Sequence, residues 1–352
     1  LIRALYPDWL TVADPGVAAV SNGVHLSVIR AVYDTGAPFI VGDRLVNSAA
    51  YLGGLALLWR SSTAEASRGQ RIALALLALA FPYYRFAFSN LAEGLYVGVL
   101  ALLCLATGRW YRSRPIGHAI VAGAVAATLV LVKPHGLAVV AALGAMAALD
   151  AAFSGGWRRL ALRALLFAVT FFGVGNLIQW AAEEPAAHPL AFFVGSFYEQ
   201  ALSQPLPADA PAIAGLALGV MVSAVAVLAG APLLVGLSDL AARWRARRGR
   251  FIAPGPDLVF LLLALSLAAT LVMVAIFSVK MAGDPASRNL LWGRYFEFFV
   301  PMIWLAAAPA LARPIGWRLA WGCAGVTLAG LAGLLASFHA GVVLFPWDSS
   351  AL

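Results

Sequence analysis

The sequence predicts an all-α protein that crosses a membrane many times. Three observations carry this reading: apolar runs of spanning length recur along the chain, 62% of its 352 residues are hydrophobic against 11% charged, and the basic residues collect in alternate connections. A soluble domain carries about a quarter charged residues, and mean hydropathy here is +0.87. So much apolar surface cannot be hidden in a water-soluble core, and lipid is the expected solvent for most of it.

The apolar runs read 45–59, 72–88, 91–108, 116–132, 137–153, 160–180, 212–237, 258–279, 295–311 and 319–344. That makes about ten helices or more, against the roughly 17 to 25 residues a bilayer requires of each. The expected organisation is an outer-face stretch at 1–40, a transmembrane bundle at 41–345 and an outer-face tail at 346–352. Within 17–32, Val20, Val24, Val28 and Ala31 fall at helical spacing, with Ser21, His25 and Arg30 elsewhere. This is the pattern of an interfacial helix, either packed on the bundle or covering a substrate.

Charge sets the orientation. Arg60, Arg68, Arg71, Arg109, Arg112, Arg114, Arg158, Arg159, Arg163, Arg243, Arg245, Arg247, Arg248, Arg250, Arg313 and Arg318 all fall on one side, which the positive-inside rule marks as cytoplasm. The other side receives Arg3, Arg30, Arg44, Arg85, Lys133, Lys280, Arg288 and Arg294, with most of the acids; only Glu65, Asp150, Asp239 and Asp257 stay inside. The expected location is a cell membrane, plasma or inner, with polar chemistry facing the outside or periplasm.

The net charge of +8 does not point to nucleic acid, because the basic residues form short clusters between apolar runs and not a stripe interleaved with aromatics. Membrane lipids are the implied partners. Cys104 and Cys323 each lie inside an apolar run and read as buried, inert thiols. No zinc-binding pair, phosphate loop or internal repeat is present, so no metal ligand is assigned.

Ionisable groups within apolar runs are costly and mark functional sites. Three constellations qualify: Arg85 and Glu93 flanking the turn at Ser89-Asn90, the outer turn Lys133-Pro134-His135-Gly136, and Arg294 with Glu297, preceded by Lys280 and Arg288. Each alone reads as a snorkelling side chain or a structural ion pair. Together on one face they supply cations for a lipid-linked phosphate or diphosphate, and acids that serve as general base or bind sugar hydroxyls.

The same segments resemble the GT-C superfamily of membrane glycosyltransferases, especially its branch of protein mannosyltransferases and lipid A aminoarabinose transferases. Arg44-Leu45-Val46-Asn47-Ser48-Ala49 resembles the RLPSAL start of that family's second helix, and 76–91, LLALAFPYYRFAFSNL, resembles LLALSPLFLYYSRLALTD. Residues 129–137, LVLVKPHGL, are similar to LAFLTKGPLGL, and 294–301, RYFEFFVP, to RYLLPLLP. The motifs occur in the family's order.

The resemblance implies a GT-C-like bundle with juxtamembrane helices in the first outer loop, a loop that carries an acidic catalytic residue. It also implies that the family's first helix is absent from this sequence. Asp14 is the first choice for general base and Asp8 the second; the family's usual acidic pair is not present as such. Lys133, Arg294, Lys280 and Arg288 are implied as ligands of the donor phosphate. Arg85, Asn90, Glu93, His135 and Glu297 are implied as supporting pocket residues, with Glu93 one helical turn after Ser89-Asn90, where the family has its TD acid.

The implied reaction transfers a sugar from a polyprenyl-phosphate donor to a glycan, lipid or protein acceptor. No other cofactor is implied, and a divalent metal stays open. A transporter or lipid flippase also needs buried charges and is the alternative, although no symmetrical halves are visible. A non-catalytic membrane subunit would tolerate neutral substitution of the outer charges.

Overall fold

The computed structural model describes residues 23–36, 39–63, 66–80, 92–181, 205–246, 255–281 and 295–342. Among these, 87% are helical and no strand occurs, so the fold is all-α. The helices are α1 (Gly23–Asp34), α2 (Phe39–Ser62), α3 (Arg68–Leu79), α4 (Glu93–Trp110), α5 (Pro115–Val132), α6 (Gly136–Ser154), α7 (Trp157–Ala181), α8 (Ala210–Ala246), α9 (Gly255–Met281), α10 (Phe299–Ala306), α11 (Ala308–Leu311) and α12 (Trp317–His339). Asp8, Asp14, Arg85, Asn90, Arg288, Arg294 and the tail 346–352 lie outside the described residues.

Six helices, α5 to α9 and α12, are long and apolar enough to cross a membrane. The other apolar runs resolve differently. α2 begins at Phe39 and carries Asp43, Arg44 and Arg60, while α4 carries Glu93 and Arg109, and these charges leave both less apolar than the six. The run 295–311, expected as one span, divides into α10 and α11 at Ala307. Pro309 is the cause: it has no N–H to give the Leu305 carbonyl, and its ring crowds the preceding turn. Nearly every residue of α10 and α11 is buried, so the kinked segment is enclosed by protein.

Local chemistry starts and stops the helices. α3 opens with a capping box, in which the Gln70 amide donates to Ser67 Oγ and the Ser67 N–H donates to Gln70 Oε1 at 2.9 Å. α5 has Pro115 at its head, where a missing N–H costs nothing. α6 ends in a Schellman turn: Gly155 takes φ +66°, which a residue with a Cβ rarely adopts, and the Gly156 N–H reaches back to the Ala151 carbonyl.

The helices gather into two compact units. The first holds α1, α2 as far as Leu57, α4, α5, α6 as far as Val140, and α7. Its core is Ala126, Ala127, Val130 and Leu131 of α5 against Phe171 of α7, with Val24 of α1 and Phe167 packed on it. Of the stripe read within 17–32, Val24 and Val28 are half-buried on α1, whereas Ala31 faces out with Ser27; 17–22 lie outside the described residues.

The second unit holds the rest of α2 and α6, α3, and α8 to α12. α8, with 37 residues, is about 55 Å long. Pro232 inside it leaves the Leu228 carbonyl without its intrahelical donor. Trp304 of α10 supplies one, its indole N–H donating to that carbonyl at 2.9 Å. Near the end of α8, Asp239 pairs with Arg243 and, at 2.6 Å, with Arg313, while Asp257 at the start of α9 meets Arg243 at 2.7 Å.

A buried charge cluster at the head of α4

α4 has no side-chain cap of its own, because its N-cap residue is Ala92. Its first N–H groups need acceptors from elsewhere. Asn47 of α2 provides one: its Oδ1 accepts from the Leu95 N–H at 3.1 Å. The approach is close, since a Cβ at Gly94 would lie 2.5 Å from the Asn47 carbonyl oxygen, and only glycine fits.

Asn47 is oriented in turn by the residue one turn before it. Its Nδ2 donates to Asp43 Oδ1 at 3.0 Å and to the Asp43 carbonyl at 3.2 Å. Asp43 is 0% exposed and Asn47 1%, so this pair sits in protein and not at a solvated helix end. The amide's two ends are therefore both committed, oxygen to α4 and nitrogen to α2.

Glu93 is the first residue of α4, where the helix dipole favours a negative charge. Lys133 follows the last turn of α5, where the dipole favours a positive one. The two helix ends bring them together, and Lys133 Nζ donates to Glu93 Oε1 at 2.6 Å. Glu93 is 2% and Lys133 7% exposed, so this is a buried ion pair. The second carboxylate oxygen, Glu93 Oε2, is buried and has no hydrogen-bond partner among the described residues.

Lys133 belongs to a tight reversal. The Gly136, Leu137 and Ala138 N–H groups donate to the carbonyls of Lys133, Pro134 and His135, which starts α6 immediately after α5 ends. His135 is buried in this turn, as are Pro134 and Gly136. Connections normally run over the surface. A buried turn carrying a lysine and a histidine is the departure that marks this end of the unit.

Of the residues expected to form a site, Glu93, Lys133 and His135 lie together in the first unit, joined by Asp43 and Asn47. Lys280, half-buried in the last turn of α9, and Glu297, fully buried just before α10, belong to the second unit. Asp43 was not singled out beforehand, although its spacing of one turn from Asn47 was a readable signal. No three His, Cys, Asp or Glu residues come together among the described residues.

The cluster offers an ammonium donor next to a carboxylate with a spare acceptor, in a setting of low dielectric where each interacts strongly. That equips it to hold an anion at Lys133 and a hydroxyl or amide at Glu93. Comparison with protein-family models, curated proteins and solved structures finds no match to this chain.

Proposed function

We propose that this protein is a membrane glycosyltransferase of GT-C type, with about ten or more helices crossing a cell membrane, that moves a sugar from a polyprenyl-phosphate donor to an acceptor on the outer face. The observation that carries the reading is the buried Glu93–Lys133 pair at 2.6 Å, an ionic site inside a largely apolar chain. Lys133 lies within one of the motifs that resemble that family, and Glu93 two residues after another.

In this reading Asp14, or else Asp8, takes the proton of the acceptor hydroxyl. The oxygen attacks the anomeric carbon, the bond from that carbon to the phosphate oxygen breaks, and polyprenyl phosphate leaves with the bonding electrons. Lys133 exchanges Glu93 for a phosphate oxygen as negative charge develops there. Arg85, Asn90, Glu93 and His135 shape the pocket around it.

The orientation draws support from the second unit. Trp59 Nε1 donates to the Arg71 carbonyl at 3.0 Å, Gln70 Nε2 to the Ala312 carbonyl at 3.4 Å, and Arg313 to Asp239. Connections that the arginine count assigns to the cytoplasmic side therefore meet one another.

Proteoliposomes containing the protein, a radiolabelled polyprenyl-phosphate sugar and candidate acceptors test the reading. Transfer that is lost in Asp14→Asn or Asp8→Asn supports it. Absence of transfer with every donor, alongside movement of a solute or lipid across the bilayer, replaces it with the transporter alternative.

A further inference from the structure

α7 has two unlike faces. One packs inward: Phe167, Phe171 and Ile178 meet α5, and Gly123 lets the two backbones approach, since a Cβ there would lie 2.7 Å from the Phe167 carbonyl oxygen. The other face is open. Leu162, Leu165, Val169, Leu177 and Trp180 are each between 48% and 77% exposed, and with exposed Gly173 they recur every three or four residues along the helix. No ionisable residue stands between Arg163 and the end of α7 at Ala181. A continuous apolar stripe of this length marks a contact surface.

The ends of the stripe identify its partner. Trp157, at the head of α7, and Trp180, in its last turn, are both exposed. They are 23 positions apart, about 35 Å at the helical rise. The hydrocarbon core of a bilayer is about 30 Å thick, and tryptophan collects in the two interfaces that bound it. Arg158 and Arg159 stand exposed beside Trp157, where headgroups begin. The side chains between are bulky, and so resist the close approach of a second helix that small residues permit.

We propose that this face of α7 is a lipid-facing wall of the first unit, its stripe covered by acyl chains, with Trp157 and Trp180 seated in opposite headgroup layers. The wall also fixes the depth of the buried ion pair. Ile178, two turns beyond Phe171, packs on the same cluster, whose last residues on α5 are Val130 and Leu131. Trp180 and Lys133 therefore lie at one end of the α5–α7 pair. The Glu93–Lys133 pair then sits at headgroup depth, where the phosphate of a membrane lipid resides. The wall does not depend on the transferase chemistry, so either can fail alone.

The test is depth-dependent quenching in phosphatidylcholine vesicles. The full chain lacking Cys104 and Cys323 carries a fluorescent maleimide at Trp157→Cys, Val169→Cys or Trp180→Cys, and the vesicles contain lipids with a nitroxide on the headgroup or on carbon 12 of an acyl chain. Val169 is 12 positions from Trp157 and 11 from Trp180, which puts it at mid-bilayer. The label at Val169→Cys should lose more fluorescence to the carbon-12 nitroxide than to the headgroup nitroxide, and the labels at the two ends should show the reverse. The proposal fails if the carbon-12 nitroxide does not quench Val169→Cys, as when a second copy of the chain covers the stripe. It fails equally if all three positions show one pattern, as in a helix lying along the surface. Should Trp180→Cys not fold, Leu177→Cys, at an exposed position one turn earlier, takes its place.

Discussion

Lys133 and Glu93 are 40 residues apart in the chain and 2.6 Å apart in space, each at a helix end whose dipole suits its charge. An exposed pair contributes little to stability, but this one is buried, and removing Lys133 leaves the Glu93 carboxylate uncompensated. Lys133→Met alone should lower unfolding free energy by about 3 to 5 kcal/mol. Adding Glu93→Gln should recover stability, because the carboxylate is then no longer stranded. Thermal unfolding in detergent measures this, and simple addition of the losses in Lys133→Met and Glu93→Gln would show that the residues do not act as a pair.

The Asn47 cap predicts a local effect. Asn47→Ala removes the acceptor of the Leu95 N–H and should cost about 1 kcal/mol, seen as roughly fivefold faster amide exchange in the first turn of α4. Asn47→Asp should not rescue it. The carboxylate keeps an acceptor for Leu95 but loses the donor to Asp43 and sets two like charges one turn apart. Unchanged exchange at Leu95 in Asn47→Ala would mean that the cap contributes nothing.

How legible these features were differs by residue. The all-α class followed from composition and run length, and Glu93, Lys133 and His135 stood out because charge inside an apolar run is costly. Their pairing was not legible, since contact between positions so far apart depends on how α4 and α5 pack. Asn47 was visible only through the motif resemblance, and its role was hidden because α4 offers no sign of needing a foreign cap beyond Ala92. The run 295–311 read as a single span because hydropathy counts apolar residues and ignores the donor that Pro309 lacks.

The Trp304 hydrogen bond was equally hidden, and it predicts an epistatic pair. Trp304→Phe leaves the Leu228 carbonyl without a donor in an apolar setting and should cost about 1 to 3 kcal/mol. Pro232→Ala restores a backbone N–H that can donate to the same carbonyl. Pro232→Ala/Trp304→Phe should therefore recover part of the stability lost in Trp304→Phe. If it recovers none, the indole acts through packing and not through its hydrogen bond.

Orientation is open to labelling. Thr35, between α1 and α2, and Ala246, at the end of α8, are both exposed. In a chain lacking Cys104 and Cys323, an impermeant maleimide applied to intact cells should label Thr35→Cys and spare Ala246→Cys until the membrane is opened. Labelling of Ala246→Cys in intact cells would reverse the topology and remove the outer-face site with it.

The last prediction separates proton transfer from phosphate binding within the proposed reaction. Asn has the size of Asp but cannot accept a proton at working pH, so Asp14→Asn should keep folding and donor affinity while turnover falls by about 10² to 10⁴. Lys133 acts on the leaving phosphate, so Lys133→Ala should weaken donor binding as well as turnover. Because that variant also strands Glu93, Lys133→Arg is the informative companion: it keeps a cation for both Glu93 and phosphate, and it should recover stability and part of the activity. The assay is sugar transfer in proteoliposomes at matched amounts of folded protein, with donor concentration varied to separate kcat from KM. Loss of activity in Asp8→Asn alone would move the base to Asp8 and leave the reaction class intact. Full activity in folded Lys133→Ala would make the Glu93–Lys133 pair purely structural and remove the observation on which the proposed function rests.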